Sequence, residues 1–342
     1  MSAELIVHRA GPGVSVQDRG RTGYLAMGLS RGGAADLEAL SEGAALLGQP
    51  DTLACLEMAG MGGEFEVTAD TRIALTGAPM RVTLDGAKLA WHASHLMPKG
   101  ARLSIGPVES GSYGYLHLGG GLDTPQTLGA RSTHFAAGVG QAVAAGDRLA
   151  LGPDHKPQRY GFKLRPEARF DGGKIRILPS LQTDFFEEAE RARFETTSFT
   201  RDSRGNRMGV RMIPGDKGFD SPAGLKILSE VITPGDIQVT GDGTPFVLLS
   251  ESQTTGGYPR IGTVLPSDLP RVAQAPAGAK LHFVFVTEDE ALEIEARAAK
   301  ARKSMSARCE RLVRRPEDIP DLLSYQLISG VTAGYDQEEE PA

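Results

Sequence analysis

The sequence predicts a mainly β protein with a few helices, arranged as two related halves, and three observations carry that expectation. Glycine and proline are abundant, with 43 and 21 of 342 residues, which favours turns and short strands over long helices. Apolar residues along much of the chain alternate with polar ones, the period of a half-buried strand. Two stretches also match each other in order. Residues 57–78 (EMAGMGGEFEVTADTRIALTGA) align with residues 230–251 (EVITPGDIQVTGDGTPFVLLSE) once one-residue gaps are allowed. Glu57 then meets Glu230, Gly63 meets Gly235, and Phe65 and Val67 meet Ile237 and Val239; Ile73 and Leu75 meet Phe246 and Leu248. Downstream, PKGARL (98–103) lines up with PAGAKL (276–281), and upstream QDRGRTG (17–23) echoes DSRGNRMG (202–209). The order is kept at an offset of roughly 170–185 residues, the mark of an internal duplication with one domain per half.

Within each matched block, Phe65-Val67 and Ile73-Leu75 read as strands joined by the turn Thr-Ala-Asp-Thr, and Ile237-Val239 and Phe246-Leu248 as strands joined by Gly-Asp-Gly-Thr. Many short strands at such spacing predict a closed or partly closed barrel in each half, which also removes exposed edges. A helix is expected over 36–47, where Leu37, Leu40, Ala44 and Leu47 share a face and Gly48 supplies the stop. Asp184 with Glu187 predicts a capping box for a helix through about Phe194, and Thr287 with Glu290 does so for a charged helix from Glu288. The basic, proline-containing stretch 154–168 reads as the connection between halves, and the acidic residues 336–342 as a frayed end. The expected divisions are 1–165, 166–290 and a helical C-terminal extension over 291–342.

Composition narrows the function classes. Hydrophobic residues make up 40%, charged residues 23% and the formal net charge is −6, an ordinary globular balance with no cationic surface for nucleic acid or an anionic membrane. No run of about 18 apolar residues and no signal-like N-terminus is present, so a cytoplasmic location is expected. Two cysteines provide neither a disulfide framework nor a metal knuckle. Phosphate-loop and HExxH motifs are missing, and no metal is predicted. His92 and His95 fall on an extended segment that would send them to opposite faces.

Four polar clusters remain. The first holds Asp18, Arg19 and Arg21, then Gly32 and Gly33 ahead of the helix at Asp36. Guanidinium groups beside glycine amides suit a carboxylate or phosphate, and equally a turn closed by a surface ion pair. The second is Gly119-Gly120-Gly121 followed by Arg131, Ser132 and Thr133, either a close backbone approach to a ligand or a tight corner. The third, Arg204 and Arg207 in RGNRMG, is the repeat partner of the first. The fourth, Glu251, Ser252, Gln253, Thr254, Thr255, Gly256, Gly257 and Tyr258, follows an apolar strand, where paired glycines are costly for structure alone. No nucleophile–base pair stands out among them.

At these clusters the chain resembles the carboxyltransferase subdomain A/B family. That family includes the C subunit of 5-oxoprolinase, the regulator KipA, allophanate hydrolase subunit 2-like proteins and the carboxyltransferase region of urea carboxylase. The matching pieces are SVQDRGRTGY, GLSRGGAAD, ALLGQPDTLACLE, GYLHLGGGLDTPQTLGARST, GDRL, SRGNRMG, ITPGDIQVTGDGTP and QTTGGYPRI, with LLSYQLISG near the end. The resemblance implies two tandem cyclophilin-like β-barrel domains. It also implies a smaller KipI-like partner (the B subunit) and an A subunit, the three together hydrolysing 5-oxoproline to glutamate with ATP. ATP is expected at the level of that complex. Two departures are visible: Glu251-Ser252 stand where the family usually has an Asp-Arg or similar pair, and the asparagine often found at the end of the first helix is replaced within GAALLGQ. No Met-Lys-Met biotin-attachment motif occurs, so biotin would have to ride on another chain.

The expected function is thus one subunit of a hydrolase, active only within a complex. Arginines and amides would hold the carboxylate of a small lactam, Gln253, Thr254 and Tyr258 would orient its carbonyl, and Asp18 or Glu251 would handle a proton. The alternatives are one subunit of a biotin-dependent carboxyltransferase that acts on urea or a related amide, and a KipA-like partner without catalysis.

Overall fold

Alternating burial becomes strand pairing throughout the computed structural model, which describes residues 3–222 and 227–313. In the first unit, Glu4–Ala10 runs antiparallel to Gly63–Val67, with Leu5 opposite Val67 and Val7 opposite Phe65. All four side chains are buried, each worth about 1.5–3 kcal/mol when fully removed from water. These strands belong to a six-stranded sheet, and a seven-stranded sheet shares the same core through Leu56, Met58, Ile73, Leu75 and Leu116. The strand Thr71–Gly77 is buried along its whole length. Ile73 and Leu75 face that core, whereas Ala74 packs with Leu46 and Leu47 of helix α1 (Leu37–Leu47) on the opposite side.

The second unit is a closed seven-stranded barrel in the order Gly172–Leu178, Arg260–Val264, Asp236–Val239, Pro245–Leu248, Gly209–Ile213, Phe199–Asn206, Lys280–Phe285. A parallel ladder from Gly172↔Lys280 to Ile177↔Phe285 closes it. Phe194 from helix α2 (Glu188–Thr196) enters a cluster with Phe199, Phe219 and Phe283. The short α3 (Leu269–Gln274) and the longer α4 (Glu288–Lys303) complete the helices among the described residues.

Helix α1 starts and stops where its sequence dictates: the Asp36 side chain accepts from Glu38 N and Ala39 N, and Gly48 closes it in the left-handed conformation. Helix α4 carries the Thr287–Glu290 capping box. The box expected from Asp184 and Glu187 does not form. Glu187 occupies the N-cap without a side-chain bond, and Asp184 sits in a 3-10 turn (Thr183–Phe185) and pairs with Arg191. Between them Phe186, 1% exposed, is drawn into the core and delays the helix.

The matched sequence blocks occupy strands in both units but are joined differently. Ile237 pairs with Val247 in a hairpin, whereas Gly63–Val67 and Thr71–Gly77 lie in different sheets and turn a corner. The first unit is accordingly a pair of sheets on one core, not a closed ring of strands. Both LLSYQLISG and the acidic stretch 336–342 lie outside the described residues, as does most of the expected 291–342 extension. The part of that extension that is described returns to the first unit, where Glu310–Arg311 pairs with Phe162–Lys163. The connection 154–168 is pinned by buried Arg72, which donates to Asp154 and to the carbonyls of Leu47 and Arg159.

Three buried polar groups join the units. Arg169 donates to Asp36 (2.7 Å) and to both oxygens of Glu42 (2.7 and 2.8 Å). Gln274 donates to Asp36 and Tyr113 O and accepts from the amides of Ser112 and Tyr113. Arg207, from the second unit, donates to Glu251 of its own unit and to Glu57 and the Gly33 carbonyl of the first. Glu57 is completed by the Tyr115 hydroxyl (2.7 Å) and Ala35 N (2.8 Å), and Glu251 by Ala136 N (3.0 Å). Burial opposes the charge on Arg207, but Glu57 and Glu251 outweigh it and hold its pKa above the usual arginine value.

Removing Arg207 strands two buried carboxylates, so Arg207→Met is expected to cost about 3–5 kcal/mol in denaturant unfolding. Arg207→Lys recovers only part of this, since one ammonium cannot present a planar fork to two carboxylates and a carbonyl. Adding Glu57→Gln and Glu251→Gln to Arg207→Met restores most of the loss. Burial, then Glu42, raises the Glu38 carboxyl to about 7, against Arg302 and Arg169. Its folded pKa exceeds its unfolded one, so its contribution is complete below the unfolded value and is lost as pH rises. Thermal stability should therefore fall between about pH 5 and pH 7 more steeply in the wild type than in Glu38→Gln.

Candidate functional site

The hairpin of Phe199–Asn206 and Gly209–Ile213 frames a cleft on the second barrel, of about 510 Å³. Met208, Ile232, Phe246 and Leu248 give it apolar walls. Its polar lining is Arg204, Asn206, Gln238, Ser252 and Gln253. Apolar walls with a few convergent polar groups are the usual make-up of a small-molecule site.

Two of those polar groups are unpartnered. Gln238 is 7% exposed and Ser252 is 3% exposed, and neither Gln238 Nε2 nor Ser252 Oγ has a hydrogen-bond partner among the described residues. Such a group costs about 1–3 kcal/mol, which stable folds seldom tolerate without reason. Gly256 lies against the same amide: a Cβ there would sit 2.5 Å from Gln238 Nε2. A side chain at this position of TTGGYP would therefore displace the Gln238 amide. At the rim Arg204 pairs with Asp202 (2.9 Å) while its side chain stays 73% exposed.

Directly behind the cleft lies the Arg207–Glu251 pair, because Asn206 and Met208 flank Arg207 and Glu251 precedes Ser252. Beside it Ser30, His134 and Glu251 form a buried row that resembles a nucleophilic triad in composition only. His134 Nδ1 accepts from Ala137 N (3.2 Å) and stands 3.8 Å from Glu251. Its Nε2 therefore carries the proton and donates to Ser30 Oγ (2.9 Å), the reverse of what a general base needs. Burial lowers the His134 pKa, against the pull of Glu251.

The predicted residues divide among three places. Arg204 and Gln253 share the cleft. At the junction lie Arg207 and Glu251, with the backbone of Gly32 and Gly33, whose N and O meet Ser250 O and Arg207. Also there is Arg21, which is 2% exposed and donates to Ser132 O, and whose pKa burial lowers. Thr133 holds the same loop by bonding to Val16 O and Gln141 O. Asp18 is spent on Gly20 N and Arg131 N (2.8 and 2.7 Å), a loop-holding duty that corrects its expected role in proton transfer.

The remaining residues lie apart, and here the expected constellation is corrected. Arg131 donates to Asp123 and to Thr124 O, so its fork is committed within its own loop. Arg19 pairs with Asp51 (2.7 Å). Thr254 is buried, with its carbonyl bonded to Ile232 N, and Thr255 and Gly256 pair with Val231 and Glu230. Gly257 approaches Ser229, while Tyr258 is 48% exposed and lines no part of the cleft. The amides of Gly32, Ala34, Ala35 and Asp36 are all taken, by Ser250 O, Asp18 O, Glu57 and the Tyr115 hydroxyl. With the Asp36 carboxylate capping α1 as well, that helix start has no place for an anion. The triple glycine is a packing corner, where a Cβ on Gly120 would lie 2.2 Å from Gly152 O.

Sequence reasoning passed over Gln238 and Glu57. Gln238 sits between Ile237 and Val239 and reads as the solvent-facing member of an alternating strand, yet the Gly256 strand covers it. The paired glycines were the available signal. Among the described residues no group of His, Cys, Asp or Glu is arranged to hold a metal ion, and no helix is long and apolar enough to cross a membrane. Chemically, the cleft offers neutral donors in an apolar setting, suited to a carbonyl or carboxylate oxygen.

Comparison with known proteins agrees with the β-rich fold. The family model for the carboxyltransferase domain, subdomain A and B, matches residues 27–285. The C subunit of Escherichia coli 5-oxoprolinase is 34% identical over 295 residues, covering 84% of this chain and 93% of that protein. Among solved structures, TTHA0988 aligns with TM-score 0.76 at 30% identity, covering 83% of this chain and 56% of its own. The Kluyveromyces lactis urea carboxylase aligns with TM-score 0.79 at 26% identity, over 93% of this chain and 30% of its own. By a family match spanning most of its length, over the strands that frame both junction and cleft, this chain belongs to the carboxyltransferase domain, subdomain A and B, family.

Proposed function

We propose that the chain is the C subunit of an ATP-dependent 5-oxoprolinase-type complex that opens 5-oxo-L-proline to L-glutamate, its partners being a KipI-like B subunit, plus an A subunit. One observation carries the reading: the chain is 34% identical to the E. coli 5-oxoprolinase C subunit, 93% of which it spans. The cleft supports it, since a five-membered lactam presents an apolar ring, one carbonyl and one carboxylate to apolar walls, neutral donors and the Arg204 rim. Ring opening adds water across the lactam C–N bond, the oxygen to carbon and the proton to nitrogen. The chain's part is to hold and orient the ring. ATP belongs to the assembly: the start of α1 is filled by Asp36, and Arg207 and Arg169 are bound to carboxylates, so these residues do not fit a triphosphate. On this reading the assembly works in the cytoplasm.

A second reading, a carboxyltransferase acting on urea or a related amide with biotin on another chain, is favoured by the TM-score of 0.79 with urea carboxylase. A KipA-like role without catalysis is the third. Reconstitution separates them. With both partner proteins and ATP, the wild-type chain should support glutamate release from 5-oxo-L-proline, and alone it should not. Carboxylation of urea from a carboxybiotin carrier, with 5-oxo-L-proline ignored, would establish the second reading instead. Within the active complex, Gln253→Ala should raise KM about tenfold, whereas Arg131→Ala, whose fork serves Asp123, should change it less than about twofold.

A further inference from the structure

The polar groups that the second barrel buries without partners mark a recognition subsite. We infer that Gln238 and Ser252 form a binding site for a carbonyl oxygen, so that the cleft takes small cyclic or planar amides by their C=O. Gln238 Nε2 and Ser252 Oγ are the two buried and unpartnered polar atoms among the groups that line the cleft. They come from different segments, the strand Asp236–Val239 and the turn after Leu249, so no single local turn accounts for both. Both can donate, and a carbonyl oxygen has two lone pairs to accept from them. Both residues line the cleft although these two atoms are buried, so the terminal amide and the hydroxyl would turn about their last torsions to meet a ligand. Gly256 leaves room for the amide, and any Cβ at that position would press on it. Met208, Ile232, Phe246 and Leu248 would then cover the ligand's apolar body. Arg204, mostly exposed at the rim, would meet a carboxylate where the ligand carries one.

Lactams as the ligand class rest on the proposed function, whereas recognition of a carbonyl oxygen rests on the cleft alone. Titration calorimetry on the full chain tests it with 2-pyrrolidinone, 5-oxo-L-proline and L-proline, the last lacking the ring carbonyl. The wild type should bind the first two and not the third. Gln238→Leu and Ser252→Ala should each weaken binding about tenfold or more while melting like the wild type. Gly256→Ala should do the same from the other side of the amide, and Arg204→Ala should weaken 5-oxo-L-proline only. Binding unchanged in Gln238→Leu and Ser252→Ala, or equal binding of L-proline, would overturn the inference. So would turnover by an assembled complex with KM unaltered in Gln238→Leu. If binding depends on Gln238 but the assembled wild-type complex leaves 5-oxo-L-proline intact, the subsite stands and the proposed function falls.

Discussion

One guanidinium holds the molecule together where it matters. Arg207 reaches from the hairpin of the second barrel to Glu57 and Gly33 of the first unit while keeping Glu251 of its own. Two buried carboxylates around one buried arginine would be ruinous if the arginine were missing, and each carboxylate oxygen that Arg207 leaves is bonded elsewhere: Tyr115 and Ala35 complete Glu57, and Ala136 completes Glu251. The planar fork sets geometry as well as charge, because it fixes three acceptors in one plane. Everything next to it inherits that placement. Asn206 and Met208 on one side, and Ser252 and Gln253 on the other, are the cleft.

This arrangement explains why the conspicuous glycine and arginine motifs divide into two kinds. Those in the first unit, QDRGRTG and SRGGAAD, build the socket: their amides and carbonyls are consumed by Ser250, Asp18, Glu57 and Arg207. In the second unit, RGNRMG and the Gln253 at the start of QTTGGYP line a cleft that has polar groups to spare. The duplicated pattern has thus been put to unequal uses, one copy as the socket and the other as the cavity. The unequal closure follows suit, with the barrel complete in the second unit and two sheets around a shared core in the first.

How much of this could be read in the sequence depended on how local the determining interaction was. Helix α1 was legible from Asp36 to Gly48, and α4 from its Thr287–Glu290 box, because caps act within four residues. The start of α2 was not, since the burial of Phe186 is a tertiary event that overrides the Asp184–Glu187 pattern. The strands were found from alternation, but Thr71–Gly77 is covered on both faces, which no period of two can reveal. For the site, Arg204 and Gln253 line one cleft, whereas Arg131 and Tyr258, drawn to them by motif alone, lie elsewhere. Residue type states what a side chain can bond to; it does not state whether a neighbour such as Asp123 has already claimed it. Gln238 was hidden for the opposite reason, a polar residue whose freedom to bond appears only once Gly256 is laid over it.

The account rests on Arg207 acting across the two units, and a double-mutant cycle between Arg207 and Glu57 tests it most directly. Arg207→Met, Glu57→Gln and the pair are compared by equilibrium unfolding. The account predicts strong non-additivity, with a coupling of about 1.5 kcal/mol or more. Losses that add to within about 0.5 kcal/mol would show two independent residues, and the junction would not be what fixes the cleft.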